Sequence, residues 1–199
     1  YNLMLALILG LVLSITFSIV INVSKTFRSR LFGGIVASLL VGLAGNSHVV
    51  WQLLSKKTLE GYWYADATRF IYHTIHEFPG YSFVVSDLHG HLLGLPMVLC
   101  FVLTMVAWIK NKNMVLAGWA GILLGMMAMT NTWDVAIYGM LMVLLALTIC
   151  WKDKKQIESV FVNGGVIALM MIVTALPWAV NFQSIAGGIR LVTTRSPLG

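Results

Sequence analysis

Residues Leu88–Ile109 read LHGHLLGLPMVLCFVLTMVAWI, without a single Asp, Glu, Lys or Arg. A helix of about 20 predominantly apolar residues crosses the hydrocarbon layer of a bilayer. It also satisfies its own backbone hydrogen bonds, for which lipid offers no partner. Charge-free runs of the same kind are Tyr1–Ser24, Leu31–Ser55, Asn113–Trp133, Val135–Trp151 and Ser159–Ile189. Val135–Trp151 is the shortest and borrows neighbouring residues at its ends. The runs predict an all-α fold, a polytopic transmembrane helix bundle of about six spans. Hydrophobic residues make up 59% of the chain and charged residues 10%, against about a quarter charged in a soluble domain. A soluble domain of this length cannot hide that much apolar surface.

The first run has no basic head and no small-residue cleavage site, so it reads as a span and not as a signal peptide. The chain starts at Tyr1 without Met and stops at Ser196-Pro197-Leu198-Gly199. Residues 1–199 therefore read as a single transmembrane region, a fragment of a larger membrane protein. Cys100 and Cys150 both fall inside spans, which argues against a disulfide framework.

Short loops rich in Lys and Arg stay in the cytoplasm. Lys25, Arg28 and Arg30 fill the first loop, Lys110 and Lys112 the third, and Lys152, Lys154 and Lys155 the fifth. The remaining cations, Lys56, Lys57, Arg69, Arg190 and Arg195, are spread over longer segments on the other side. This distribution predicts a multi-pass protein of the cell membrane with both ends outside. The net charge of +6 is then a topology signal. The cations form no stripe on a soluble face, which speaks against nucleic-acid binding.

The outer side collects the chemistry. All five histidines lie there, with five of the seven carboxylates. Residues 62–78 show apolar positions at helical spacing (Trp63, Ala67, Phe70, Ile71, Ile75, Phe78), with Asp66, Arg69, His73, His76 and Glu77 opposite. That pattern predicts an interfacial amphipathic helix in the long outer loop, ended by Pro79-Gly80. Its polar face points to water or to a substrate, which makes Arg69 and His73 candidates for substrate binding.

Next comes Ser86-Asp87-Leu88-His89-Gly90-His91. In extended chain, Asp87, His89 and His91 point the same way. A carboxylate with two imidazoles suits a divalent metal such as Mn, Mg or Zn, and Glu77 is placed to complete the shell. The competing reading makes Asp87 a cap of the third span. Asn131-Thr132-Trp133-Asp134 joins the fourth and fifth spans at the same face. Asn131 and Trp133 are candidates for substrate binding there, and Asp134, with Asp87 and Glu77, for catalysis. Alternatively Asp134 is a cap and Trp133 belongs to the interfacial aromatic belt.

At these motifs the chain resembles the YYY family of uncharacterised multi-spanning membrane proteins of archaea and Chloroflexi-like bacteria. The matching pieces are Glu77-Phe78-Pro79, Ser82-Phe83, Asp87-Leu88-His89-Gly90-His91, Pro96 and Asn131-Thr132-Trp133-Asp134. The family usually has Asn where this chain has His76, and Pro where it has Gly90. Its members are larger and look like C-type glycosyltransferases, which use polyprenyl-phosphate sugars at the outer membrane face. The resemblance implies such a transferase, with external acidic residues and a divalent ion. On that reading Asp87 is a general base or metal ligand, and Arg69, Arg190 or Arg195 holds the phosphate of a membrane lipid. The rival classes are a transporter or channel subunit and a structural membrane protein. Transporters place ionisable residues near the membrane midplane, and these spans hold none.

The topology is checked by accessibility in intact cells. With Ser29→Cys and Lys154→Cys we expect protection from an impermeant thiol reagent, and with Glu60→Cys reaction; the opposite pattern inverts the arrangement.

Overall fold

Caps and breaks cut the apolar sequence into helices. The computed structural model describes residues 2–69, 71 and 74–183. Helix α1 spans Asn2–Val23 and α2 spans Phe27–Leu43. Thr26 opens α2: its hydroxyl accepts the Ser29 N–H, and Ser29 Oγ accepts the Thr26 N–H in return. After Leu43 the chain turns extended at Ala44, and α3 (His48–Lys56) leaves the α2 direction by 76°. A short α4 (Pro79–Val84) follows, then α5 (Gly90–Asn111), α6 (Met114–Thr130), α7 (Thr132–Lys152) and α8 (Ile157–Ala179). Asn113 opens α6 by accepting the Val115 N–H at 2.7 Å.

Each charge-free run thus supplies at least one helix, and no strand occurs among the described residues. Four stretches are long and apolar enough to cross a membrane: α1, α5, α7 and Lys154–Ala179. The second run is broken into the bent pair α2 and α3, which passes as a fifth span if counted as one. Helix α6 has 17 residues, about 25 Å at the usual rise.

Two cores share α5. Near its start Leu92 packs with Leu5, Ile8 and Val12 of α1. Further along, Phe101, Met105 and Trp108 pack with Ala117, Ala120, Leu124 and Met127 of α6 and with Ile167 of α8. Lipid is as apolar as these side chains, so close packing and buried hydrogen bonds must hold the helices together. Small residues permit the approach. A Cβ on Gly121 would collide with the Ile167 carbonyl and come 2.8 Å from Met170 Cβ, and one on Gly125 would meet Thr174 Cβ at 2.7 Å. Ser38 Oγ of α2 lies 2.8 Å from the carbonyls of Leu13 and Gly34, its one proton serving them in turn. Trp108 Nε1–H donates to Asn163 Oδ1 at 3.2 Å, with both side chains buried.

Lys110 Nζ donates to the Asn22 carbonyl, so the first and third basic loops meet at one end of the bundle. At the other end Gly80 lies on the Leu43 carbonyl and Gly90 on the Thr130 carbonyl. We call these the basic end and the motif end.

Among the described residues, the continuous helix expected over 62–78 does not form. A 3-10 turn covers Tyr64–Thr68, and Arg69 and residues 74–78 are not helical. The competing bond is visible: the Thr68 carbonyl accepts the His76 N–H at 2.8 Å, closing a loop that a continuous helix cannot contain. Pro79 also forces Phe78 into extended backbone (φ −125°, ψ 148°) and opens α4, where the sequence suggested a helix end. An amphipathic helix does occur earlier in the chain, as α3. Its polar His48 and Gln52 are partly covered, while Val50, Trp51 and Leu54 are exposed.

The α6–α8 contact has a direct check. We expect Gly121→Ala to destabilise the protein by about 1–3 kcal/mol through overpacking. A methyl group on Gly118 would meet no atom within 4 Å, so Gly118→Ala should stay within about 1 kcal/mol of wild type. Unfolding in detergent micelles measures both; equal effects would refute the close contact.

Candidate functional site

Three local devices build the motif end. Pro79 holds the chain extended just after Glu77 and starts α4. Ser86 then takes the left-handed conformation (φ 58°), and the Asp87 N–H bonds back to the Ser82 carbonyl at 2.9 Å. Such a residue past a helix end reverses the chain, which returns Asp87 and His89 toward Glu77. Finally His89 (φ −132°, ψ 179°) sits at the N-cap of α5, so Asp87–His89 is extended and His91 lies in the first helical turn. Gly90 between the histidines rests against the Thr130 carbonyl, where a Cβ would stand only 2.8 Å away. That contact accounts for glycine at a position where the resembling family has proline.

The ligand atoms of Glu77, His89 and His91 lie within 4.8 Å of one another. His89 Nε2 is 2.6 Å from Glu77 Oε2, and its Nδ1 is 3.1 Å from the Asp87 carbonyl oxygen and 3.6 Å from Asp87 Oδ2. Burial pulls the His89 imidazole down from its ordinary value, but the Glu77 hydrogen bond, the Asp87 carbonyl and the two carboxylate charges together hold it above 6.5. His91 stacks edge-on against His89, ring centres 5.3 Å apart. On its far side His91 Nδ1 is 3.4 Å from the Asn131 amide.

A cleft of about 110 Å³ opens beside this group, lined by Glu77, Phe78, Pro79, Ser82, His91, Leu92 and Leu95. One part of its wall is carboxylate, hydroxyl and imidazole, the rest hydrocarbon.

The candidate residues divide as follows. Glu77, Asp87, His89, His91 and Asn131 come together. Asp134 lies beside them on α7, its Oδ2 3.1 Å from where a Gly94 Cβ would stand, one turn along α5 from His91. Neither Asp87 nor Asp134 serves as a helix N-cap; His89 and Asn131 hold those positions. Trp133 is 74% exposed in the first turn of α7. Arg69 stacks over Trp63 at 5.1 Å, a contact away from the Glu77 group. His73, Arg190 and Arg195 lie outside the described residues. Ser82, buried in the cleft wall, joins the candidates here, having stood in the sequence only as part of the motif Ser82-Phe83. Its spacing from Glu77 carries no signal until α4 is known to be helical.

The model of a family described as "Uncharacterized membrane protein (DUF2298)" matches residues 1–199. No curated protein and no solved structure matches the chain. The match agrees with the resemblance to an uncharacterised multi-spanning family and assigns no reaction.

The His89–Glu77 pair gives a signed pH expectation. A raised imidazole contributes stability that is fully present below the unfolded value of 6.5 and is lost as pH rises through the folded value. In chelator-treated protein, the NMR titration of His89 should have its midpoint above 6.5, and Glu77→Gln should lower it. An unchanged midpoint would mean that the pair does not form.

Proposed function

We propose, on the premise that the chain belongs to the DUF2298 family of membrane proteins, that it transfers a glycosyl group from a lipid-phosphate donor at the motif end. The observation that carries this is the divided cleft. Glu77, Ser82 and His91 line one part of it, and Phe78, Pro79, Leu92 and Leu95 the other. A polyprenyl-phosphate sugar is divided in the same way, with an anionic head on a hydrocarbon chain. The basic loops argue that this end faces outward.

In this reading Asp87, whose carboxylate is 52% exposed, is the general base. The acceptor oxygen forms a bond to the anomeric carbon, and its proton passes to Asp87. The bond from that carbon to the phosphate oxygen breaks, and the lipid phosphate leaves with the electron pair. A divalent ion, whether manganese, magnesium or zinc, supplies charge neutralisation at that phosphate when bound. Asp134 and Asn131 flank the site, and Trp133, exposed in the first turn of α7, is the residue this reading gives to the lipid head group and its sugar.

Transport is the weaker reading on a specific ground. Among the described residues the charged side chains of the helices fall in first or last turns, as with Arg28, Lys110, Asp134, Lys152 and Glu158. None of them stands at a midplane where a coupled ion must bind.

The test is transfer of labelled sugar from polyprenyl phosphate in membranes containing the full-length protein. Asp87→Asn keeps the side-chain shape and should lower transfer about 10²–10⁴-fold with an unchanged melting temperature. Normal transfer by a well-folded Asp87→Asn protein would make Asp87 structural and end the proposal.

A further inference from the structure

We infer that Glu77, His89 and His91 form a three-ligand site for a transition-metal ion of the zinc class, with Asp87 outside the coordination shell. The inference concerns binding and stands whether or not the transferase reading holds. Two imidazoles and one carboxylate suit zinc and its neighbours, whereas magnesium demands an all-oxygen octahedron. Three protein ligands also leave zinc a position open to water or substrate, and the cleft between Glu77 and His91 provides the space.

The orientation of the rings is the second observation. A histidine that binds metal through one nitrogen is usually held at the other by a carbonyl, carboxylate or amide. His89 is held at Nδ1 by the Asp87 carbonyl, which aims Nε2 at Glu77. His91 is held at Nδ1 by the Asn131 side chain, which leaves its Nε2 edge free. Oxygen and nitrogen of that amide are interchangeable by rotation, so Asn131 accepts the Nδ1 proton once its oxygen faces the ring. Asn131 is also the residue that joins α6 to α7, so a helix joint serves as the orienting clamp. Tetrahedral zinc sets ligand atoms about 3.3 Å apart. The present separations, from 2.6 Å to within 4.8 Å, bracket that value. In this arrangement the side chain of Asp87 makes no metal bond, and its backbone carbonyl does the positioning.

The experiment uses the purified chain in detergent, stripped with chelator and titrated with Zn²⁺ and with Co²⁺ as a spectroscopic probe. We expect one equivalent of Zn²⁺, visible tetrahedral Co²⁺ absorption, and no competition from equimolar Mg²⁺. His91→Ala and Glu77→Gln should each weaken Zn²⁺ at least tenfold, and Asn131→Ala about 10–100-fold. Asp87→Asn should stay within a factor of about three, since the carbonyl that orients His89 is unchanged. Melting temperatures of the metal-free variants report folding, and His89→Gln provides a second ligand deletion should His91→Ala fold poorly. Absence of a one-to-one Zn²⁺ complex in the wild type overturns the inference. So does retention of full affinity by folded Glu77→Gln together with either histidine variant, or a larger loss with Asp87→Asn than with Glu77→Gln. Loss of transfer with intact Zn²⁺ binding in Asp87→Asn separates the metal site from the reaction.

Discussion

The close approach of α8 to the glycine face of α6 is the contact on which the bundle rests. Water supplies no drive for two apolar helices to associate once both are in lipid, so attraction depends on how many atoms meet. Gly121 and Gly125 let the α8 backbone near Ile167 and Met171 reach van der Waals range of α6. With α6 fixed in this way, α5 lays Phe101, Met105 and Trp108 against it, and Trp108 reaches across to Asn163 of α8. The C-terminal end of α6 then becomes the floor of the motif end, because the Thr130 carbonyl is what Gly90 rests on. Helix packing at depth thereby decides where two histidines stand at the surface.

The site itself follows from a conflict between solvation and position. A carboxylate and two imidazoles are expensive to take below the head groups, yet Glu77 and His89 occupy connections and His91 a first helical turn at the edge of the bundle. Pairing resolves the conflict: Glu77 and His89 satisfy each other at 2.6 Å, and Asn131 covers His91. Both partners of the pair remain about one-third exposed, so solvent screens the interaction and its worth lies in geometry more than in stability.

The helical runs were legible because charge is the costliest thing to place in lipid, and its absence marks each span. The break between α2 and α3 was not, since Gly45 and Asn46 carry no charge and leave the apolar run uninterrupted. The 62–78 segment misled for a different reason. Its apolar residues do recur at helical spacing, but a bond between Thr68 and His76 and the demand of Pro79 for an extended predecessor override that pattern. At the site, the gathering of histidines and carboxylates at one end was readable from loop positions alone. The pairing of Glu77 with His89 was not, because it depends on a chain reversal made by Ser86, a residue with no special tendency toward left-handed backbone. Asp87 and Glu77 look equivalent as letters, and only that reversal separates them.

Asn131 ends α6 and begins α7 by itself, in extended backbone. A joint of one residue has two rotatable bonds with which to absorb a change in angle between the helices. Helix α7 has no fully buried residue, but Val135, Tyr138, Met142, Leu145 and Ile149 pack against the core of α5, α6 and α8, so its neighbours set its tilt. The orientation of the Asn131 carboxamide, and of the imidazole it touches, therefore follows from how α7 packs on α6. The angle between α6 and α7 is thereby the hinge setting of the imidazole that Asn131 touches.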